Sequence, residues 1–263
     1  MTNTLNNPVV TREEWLEARK ALLVKEKELT RLKDKISAER RQLPWIKVDK
    51  EYVFDTPEGK KTLSELFKNK SQLIVYHFMF GPGWQEGCVG CSFGSDHSDA
   101  ALQHLLQKDV NYVAVSRAPL AEFLPFKKRM GWHFDWVSSN GSDFNFDFNV
   151  SATEEEKKKG EMFYNYTTIP YVMEEASGTS VFYKNEKGEI FHTYSNYGRG
   201  GEEVLGTYYY LDITPRGRDE NEVDGGLTNW VRHHDKYDAG GYVDNTGRYH
   251  AEEKEEEKGS CCH

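Results

Sequence analysis

Leu73-Ile-Val-Tyr-His-Phe-Met-Phe80, then Gly81-Pro-Gly-Trp84, then Cys88-Val-Gly-Cys91: the reading of this chain turns on these three consecutive stretches. The first is an almost unbroken apolar run, the pattern of a central strand covered on both faces. It breaks at Gly81-Pro82-Gly83, and the cysteines follow within a few residues. Ser95 to Gln107, with Ala100, Leu102, Leu105 and Leu106 available for burial, predicts a helix next. Strand, turn, cysteine pair and helix in that order put two thiols at a helix start. Unpaired N–H groups and the positive end of the helix dipole stabilise a thiolate there. The spacing lets the second sulfur reach back to the first, so Cys88 reads as an attacking thiolate and Cys91 as the resolving thiol.

Upstream, Tyr52-Val-Phe54 and Lys60-Lys-Thr62 flank a Pro/Gly turn and predict a hairpin, followed by a short helix with Leu63, Leu66 and Phe67 inward. Downstream, Val110 to Val115 predicts a second strand ending at Ser116-Arg117, and Pro119 opens a helix to about Met130. Trp136 to Ser139 is a third strand. Asn140 to Val150 reads as a loop studded with Phe144, Phe146 and Phe148, and Glu154 to Gly160 as a solvated charge run. Thr179 to Tyr183 and Ile190 to Tyr194 flank Asn185-Glu-Lys-Gly188 as a second hairpin. Val204 to Leu211 is a closing helix, with Tyr208-Tyr-Tyr210 covering core. The alternation implies an α/β fold, a mixed central sheet sandwiched by helices.

Ahead of this lies a long charged helix. Thr11-Arg-Glu-Glu14 has the form of a capping box. Trp15, Leu22, Leu29, Ile36 and Leu43 recur every seven residues, with charged Lys25 and Glu39 at half-positions. This narrow stripe and imperfect seam suit a helix lying across its own domain, or a homodimer in which the helix also packs on its partner. The predicted organisation is an N-terminal helical arm (1–44), an α/β domain (45–213), an irregular C-terminal extension (214–250) and a disordered charged tail (251–263).

A net charge of −9 argues against nucleic-acid binding and against attraction to an anionic membrane. The N-terminus has no secretory h-region, and the run 73–80 is too short to span a bilayer, so a cytoplasmic protein is expected. In a reducing compartment a close cysteine pair is catalytic or metal-binding more often than structural. A zinc site would draw on Cys88, Cys91, His97 and His233-His234. Helical geometry opposes it, because His97 lies about 180° around the helix from Cys88. No metal and no cofactor is therefore expected.

Ligands of open α/β sheets gather beyond the carboxyl ends of the strands, which nominates Trp84, Ser116 and Arg117 around Cys88. Arg117 is the candidate to stabilise a thiolate or an anionic substrate, or else a surface residue capping a carbonyl. His77 reads as a hydrogen-bonded core residue. His233-His234-Asp235 reads as a docking cluster for the C-terminal segment, or as a general base folded over the site. Cys261-Cys262 is a vicinal pair on the tail with no assigned role.

The residues Phe80 to Phe93, Val113 to Pro119, Arg129 to Trp132, Trp136 to Ser139, Gly141 to Phe144, Ser180 to Tyr183, Phe191 to Ser195 and Trp230 to Asp235 together resemble a bacterial thioredoxin-like family of unknown function, within the thioredoxin/peroxiredoxin superfamily. The resemblance implies a thioredoxin-like three-layer α/β/α sandwich. It implies a thiol–disulfide oxidoreductase acting on a protein or small-molecule thiol or disulfide; a peroxiredoxin-like peroxidase and a non-enzymatic binding module are the alternatives. Two departures accompany it. Thr179-Ser180 stands where thioredoxins place a proline facing the cysteines, which makes Thr179 a supporting residue. Gln85 stands three residues before Cys88, where peroxiredoxins place Thr or Ser.

Overall fold

The computed structural model describes residues 6–220 and 226–252. The tail from residue 253 onward, Cys261 and Cys262 included, lies outside the described residues.

The sheet is built around β4 (Gln72–His77) and β5 (Val110–Ser116), parallel neighbours in which Val75 faces Val113. β6 (Asp135–Ser138) continues the parallel set beyond β5. α3 (Val89–Leu106) and α4 (Leu120–Met130) make the two crossovers that parallel pairing demands. On the other side of β4, β9 (Gly178–Lys184) and β10 (Ile190–Tyr197) form an antiparallel hairpin, with Ser180 opposite Val75. A short strand β1 (Ile46–Lys47) closes that edge. The hairpin β2 (Val53–Thr56) and β3 (Gly59–Thr62) closes the far edge against β6. The order across the eight-stranded mixed sheet is β1-β10-β9-β4-β5-β6-β2-β3.

Period-two alternation sends side chains of β4 and β5 to opposite faces. Val75, Val113 and Val115 pack with Phe54, Phe182 and the helices α2 (Leu63–Leu66) and α5 (Phe144–Asp147). Tyr112 and Ala114 point the other way, into an aromatic layer with Phe123, Phe126 and Trp136 beneath α3 and α4. Trp136 stacks on Phe123 at 4.7 Å and lies 4.4 Å from Phe78. Such ring pairs contribute about 0.5–1.5 kcal/mol each beyond their buried area. This floor carries the segment that leads to the cysteines. The architecture is the expected α/β sandwich with a mixed central sheet.

Several local readings change. Strand pairing along the apolar run stops at His77, because Phe78 to Phe80 turn into the aromatic layer. The helix expected from Ser95 begins at Val89 and takes Cys91 into its first turn. Phe144–Asp147 form helix α5 rather than loop. The charge run is helix α6 (Glu154–Lys159), started by a Thr153–Glu156 capping box and stopped by Gly160. β7 (Met162–Tyr164) and β8 (Thr167–Ile169) form an unforeseen small hairpin. In α7 (Gly206–Asp212) only Tyr208 of the three tyrosines is buried; Tyr209 and Tyr210 are exposed, because one helix face alone meets the body.

The long helix α1 (Arg12–Arg40) forms with its predicted capping box, but none of its residues is buried. The reading in which it lies across its own domain is corrected. Its stripe, Trp15, Leu22, Leu29 and Ile36, faces solvent. No helix among the described residues is long and apolar enough to cross a membrane.

Candidate functional site

After β4 the chain stays tied to its neighbour: Phe78 N–H donates to Val115 O at 2.9 Å and Ala118 N–H donates to Phe80 O at 3.0 Å. The loop then folds back over the aromatic floor. A Cβ on Gly87 would lie 2.4 Å from the Phe78 ring, so only glycine lets the chain pass directly before Cys88. Cys88 N–H donates to Met79 O at 3.1 Å, and Met79 N–H donates to Cys91 Sγ at 3.4 Å. One residue of the loop thus registers both cysteines.

Cys88 is the N-cap residue of α3, and Cys91 lies in its first turn; both are free, buried thiols. No conventional side-chain cap bond closes at Cys88. Its thiol is held below the ordinary value, first by a hydrogen bond from Cys91; burial opposes this, and the Gly90 and Cys91 amides reinforce it. Cys91 is pushed well above the ordinary value, first by burial and then by its bond to Cys88 and the charge there. The Tyr76 hydroxyl and the Met79 amide face Cys91 and favour its thiolate. The two thiols are therefore electrostatically unlike, and the more acidic one is at the helix terminus.

The supporting residues are dispersed. Trp84 is buried in the layer that holds both cysteines. Ser116 donates to Phe78 O at 2.7 Å and accepts from Trp136 Nε1 at 2.9 Å, so it braces the floor rather than facing a sulfur. Arg117 is corrected: its guanidinium is committed to Glu175, at 2.6 Å, because that buried carboxylate requires a cation. Thr179 pairs with Tyr76 across β9 and β4, one strand from the residue that touches Cys91. His77 is a core residue, bonded to Ser180 Oγ at 2.8 Å.

The zinc set does not assemble. His97 bonds Phe93 O at 2.7 Å and Thr207 Oγ1 at 2.9 Å. His233 is fully buried, with Nε2–H donating to Gly87 O at 2.9 Å. Its Nδ1 lies 3.2 Å from Arg129 Nη2 and 3.2 Å from Glu86 Oε2. Arg129 also pairs with Glu86 and, at 3.1 Å, with Asp235. His234 bonds Asp96 at 2.9 Å. The histidine cluster docks the C-terminal segment on the loop that precedes Cys88.

Sequence reasoning missed the hairpin β11 (Tyr242–Val243) and β12 (Tyr249–His250), whose turn lies over Cys88. Val89 N–H donates to Gly247 O at 2.8 Å, and the Arg248 guanidinium sits 4.0 Å over the Trp84 ring. The only signal was Asp244-Asn-Thr-Gly247, a turn sequence in a polar stretch. Beside Trp84 is a cavity of 420 Å³ bounded also by Gln85, Glu122, Phe126 and Arg129. A larger one, 630 Å³, lies over β10 among Leu43, Ile46, Tyr166, His192 and Tyr194 and contains neither cysteine.

The chain belongs to a family of bacterial proteins of unknown function (DUF899), whose model matches residues 4–237. No curated protein matches it. Among solved structures it is similar to a cysteine-to-serine mutant of PrxQ from Xylella fastidiosa, at 17% identity and a TM-score of 0.39, over 60% of this chain and 88% of that one. Peroxidoxin BcpB from Mycobacterium tuberculosis is similar at 11% identity and a TM-score of 0.41, over 64% and 97%. A mutant of Peroxiredoxin Q from Xanthomonas campestris is similar at 15% identity and a TM-score of 0.40, over 60% and 90%.

Proposed function

We propose that this protein is a thiol–disulfide oxidoreductase in which Cys88 attacks and Cys91 resolves. The supporting observation is the opposite displacement of two thiols within one helical turn, Cys88 toward thiolate and Cys91 away from it. The Cys88 thiolate attacks one sulfur of a substrate disulfide. The substrate S–S bond breaks, its other sulfur leaves as a thiolate that takes a proton, and a mixed disulfide forms at Cys88. Burial is the first cause of the weak acidity of Cys91, but the Cys88 charge adds to it, and that charge vanishes in the mixed disulfide. Cys91 then loses its proton beside Tyr76 and Met79 and attacks Cys88 Sγ. The second substrate sulfur leaves as a thiol, and a Cys88–Cys91 disulfide remains. The substrate has gained two electrons, and a dithiol reductant returns them to the protein.

The site favours a disulfide over a peroxide. Gln85 Nε2 donates to Gly83 O at 3.4 Å, and no hydroxyl stands at that position to orient a peroxide. The test is alkylation against pH, followed by mass spectrometry. Cys88 is expected to titrate below the free-thiol value of about 8.5 and Cys91 above it. A Cys91→Ser variant is expected to accumulate a mixed disulfide at Cys88, and Cys88→Ser to form none. Equal reactivity of both thiols, or trapping at neither, overturns the assignment.

A further inference from the structure

We propose that the turn Asp244–Arg248 occupies the place of a substrate main chain at Cys88, so that the substrate class is a cysteine-bearing peptide segment that displaces it. This rests on the oxidoreductase reading of Cys88. The turn lies C-terminal to the residues the family model matches, 4–237.

Three contacts carry the inference. The first is to the helix start. The opening N–H groups of a helix have no partner within it, and Val89 N–H, next to the nucleophile, donates to the Gly247 carbonyl at 2.8 Å. A main-chain acceptor has taken the donor that a docked peptide uses. The second contact is to the sulfur. A Cβ built on Gly247 lies 2.6 Å from Cys88 Sγ and 3.6 Å from its Cβ. Across a disulfide, Cβ of one cysteine stands about 3 Å from Sγ of the other. Gly247 therefore sits close to where a substrate cysteine must sit to be joined to Cys88, with its side chain absent. Its φ of +83° also disfavours any side chain. The third contact is lateral: Arg248 stacks on Trp84 at 4.0 Å and reaches Glu174 at 3.5 Å, laying the turn across the wall of the site.

The occupant is built to keep its shape and to leave. Asp244 accepts from Thr246 N, Thr246 Oγ1, Arg248 N and His250 Nε2, so the turn organises itself. Its two strands have two residues each. A two-stranded hairpin of that size is marginal by itself, and it is held by the contacts above together with the half-buried Val243 and Tyr249, which pack against Val89, Phe93, Tyr208 and Val231. Cys88, beneath it, is 7% exposed.

The test uses the full-length protein. Gly247→Val puts a branched side chain against the sulfur, and Cys88 alkylation by iodoacetamide is expected to accelerate about tenfold as the turn leaves. Gly247→Cys, treated with oxidised glutathione as the two-electron acceptor, is expected to link the tryptic peptide containing Cys88 to the one containing position 247. In the Cys91→Ser variant trapped with a disulfide-bonded peptide, amide exchange over 242–250 is expected to rise relative to the free protein. If Cys88 alkylates equally fast with and without Gly247→Val, and exchange over 242–250 is unchanged on trapping, the occupant is overturned while the trapped disulfide still supports the oxidoreductase. If oxidised glutathione traps readily and peptides do not, the peptide class is overturned. If nothing traps but Gly247→Val exposes Cys88, the redox reading fails and the turn is a cover with no substrate to mimic.

Discussion

Helix α1 and the C-terminal stretch 226–252 both stand outside the central sheet, and they meet the body in opposite ways. α1 is 29 residues of regular helix with a complete N-terminal capping box, yet it buries nothing. It touches the body near its end, where Arg40 lies 3.8 Å from Glu203 and 4.9 Å over the Tyr194 ring. The C-terminal stretch has hardly any regular structure, yet Val231 and His233 are fully buried in it. The difference teaches that hydrogen-bond regularity and integration are separate properties. A helix satisfies its backbone along its own length and can project into water. At this length it exceeds the roughly 12–15 residues below which isolated helices are marginal. An irregular segment has no such ladder and must find partners for its polar groups elsewhere. Here it finds them around Cys88.

The comparison breaks most visibly at the His233 cluster. His233→Ala leaves Gly87 O without its buried donor, while Arg129 keeps Glu86 and Asp235, and is expected to cost about 2 kcal/mol, read by urea denaturation. Exchange over 226–252 is expected to rise with it. A loss below about 0.5 kcal/mol places the docking elsewhere.

A smaller effect comes from acid, because one member of the cluster changes charge. Burial pushes the Glu86 carboxyl up, but hydrogen bonds from His233 and Arg129 outweigh it and hold the group at about 2. A carboxyl lowered in the folded state contributes stability that is present above its ordinary value of about 4.5 and is lost as pH falls through that value toward about 2. Protection of 226–252 is expected to decline in that window before the sheet unfolds. A flat profile between those values removes Glu86 from the docking.

The smallest effect belongs to α1. Leu22→Ala with Leu29→Ala is expected to leave the unfolding of the body within about 0.5 kcal/mol of wild type. Light scattering on the same pair sharpens the contrast. A mass half that of wild type shows that a second copy covers the stripe, as the heptad spacing suggested, and α1 then has a partner after all.

Much of the fold was legible because its signals are local. The run 73–80, the Val110 strand and the hairpin around Asn185-Glu-Lys-Gly188 carry their periodicity and turns in sequence. The cysteine pair was legible for the same reason: a strand, a glycine turn and a helix start are adjacent in the chain. The start of α3 was read too late because Val89 to Gly94 lacks an amphipathic stripe. The C-terminal stretch covers the outer side of that turn, so Val89 and Phe93 are buried there, while Cys91 is buried on the inner side in the aromatic layer. Arg117 was misjudged because its partner, Glu175, is remote in sequence.

What the amino-acid order determined by itself is the alternating α/β plan, the capped helix α1 and the placement of Cys88 and Cys91 at a helix start. Each depends on residues within a few positions of one another, where propensity, capping and periodicity act. Only the tertiary structure decided that Tyr76 and Met79 face Cys91, that Arg117 belongs to Glu175, and that Gly247 lies against Cys88. Those outcomes depend on burial and on contacts between distant residues, which no local pattern encodes. The cysteine motif could be read from a few neighbouring residues; its cover comes from as far along the chain as residue 247.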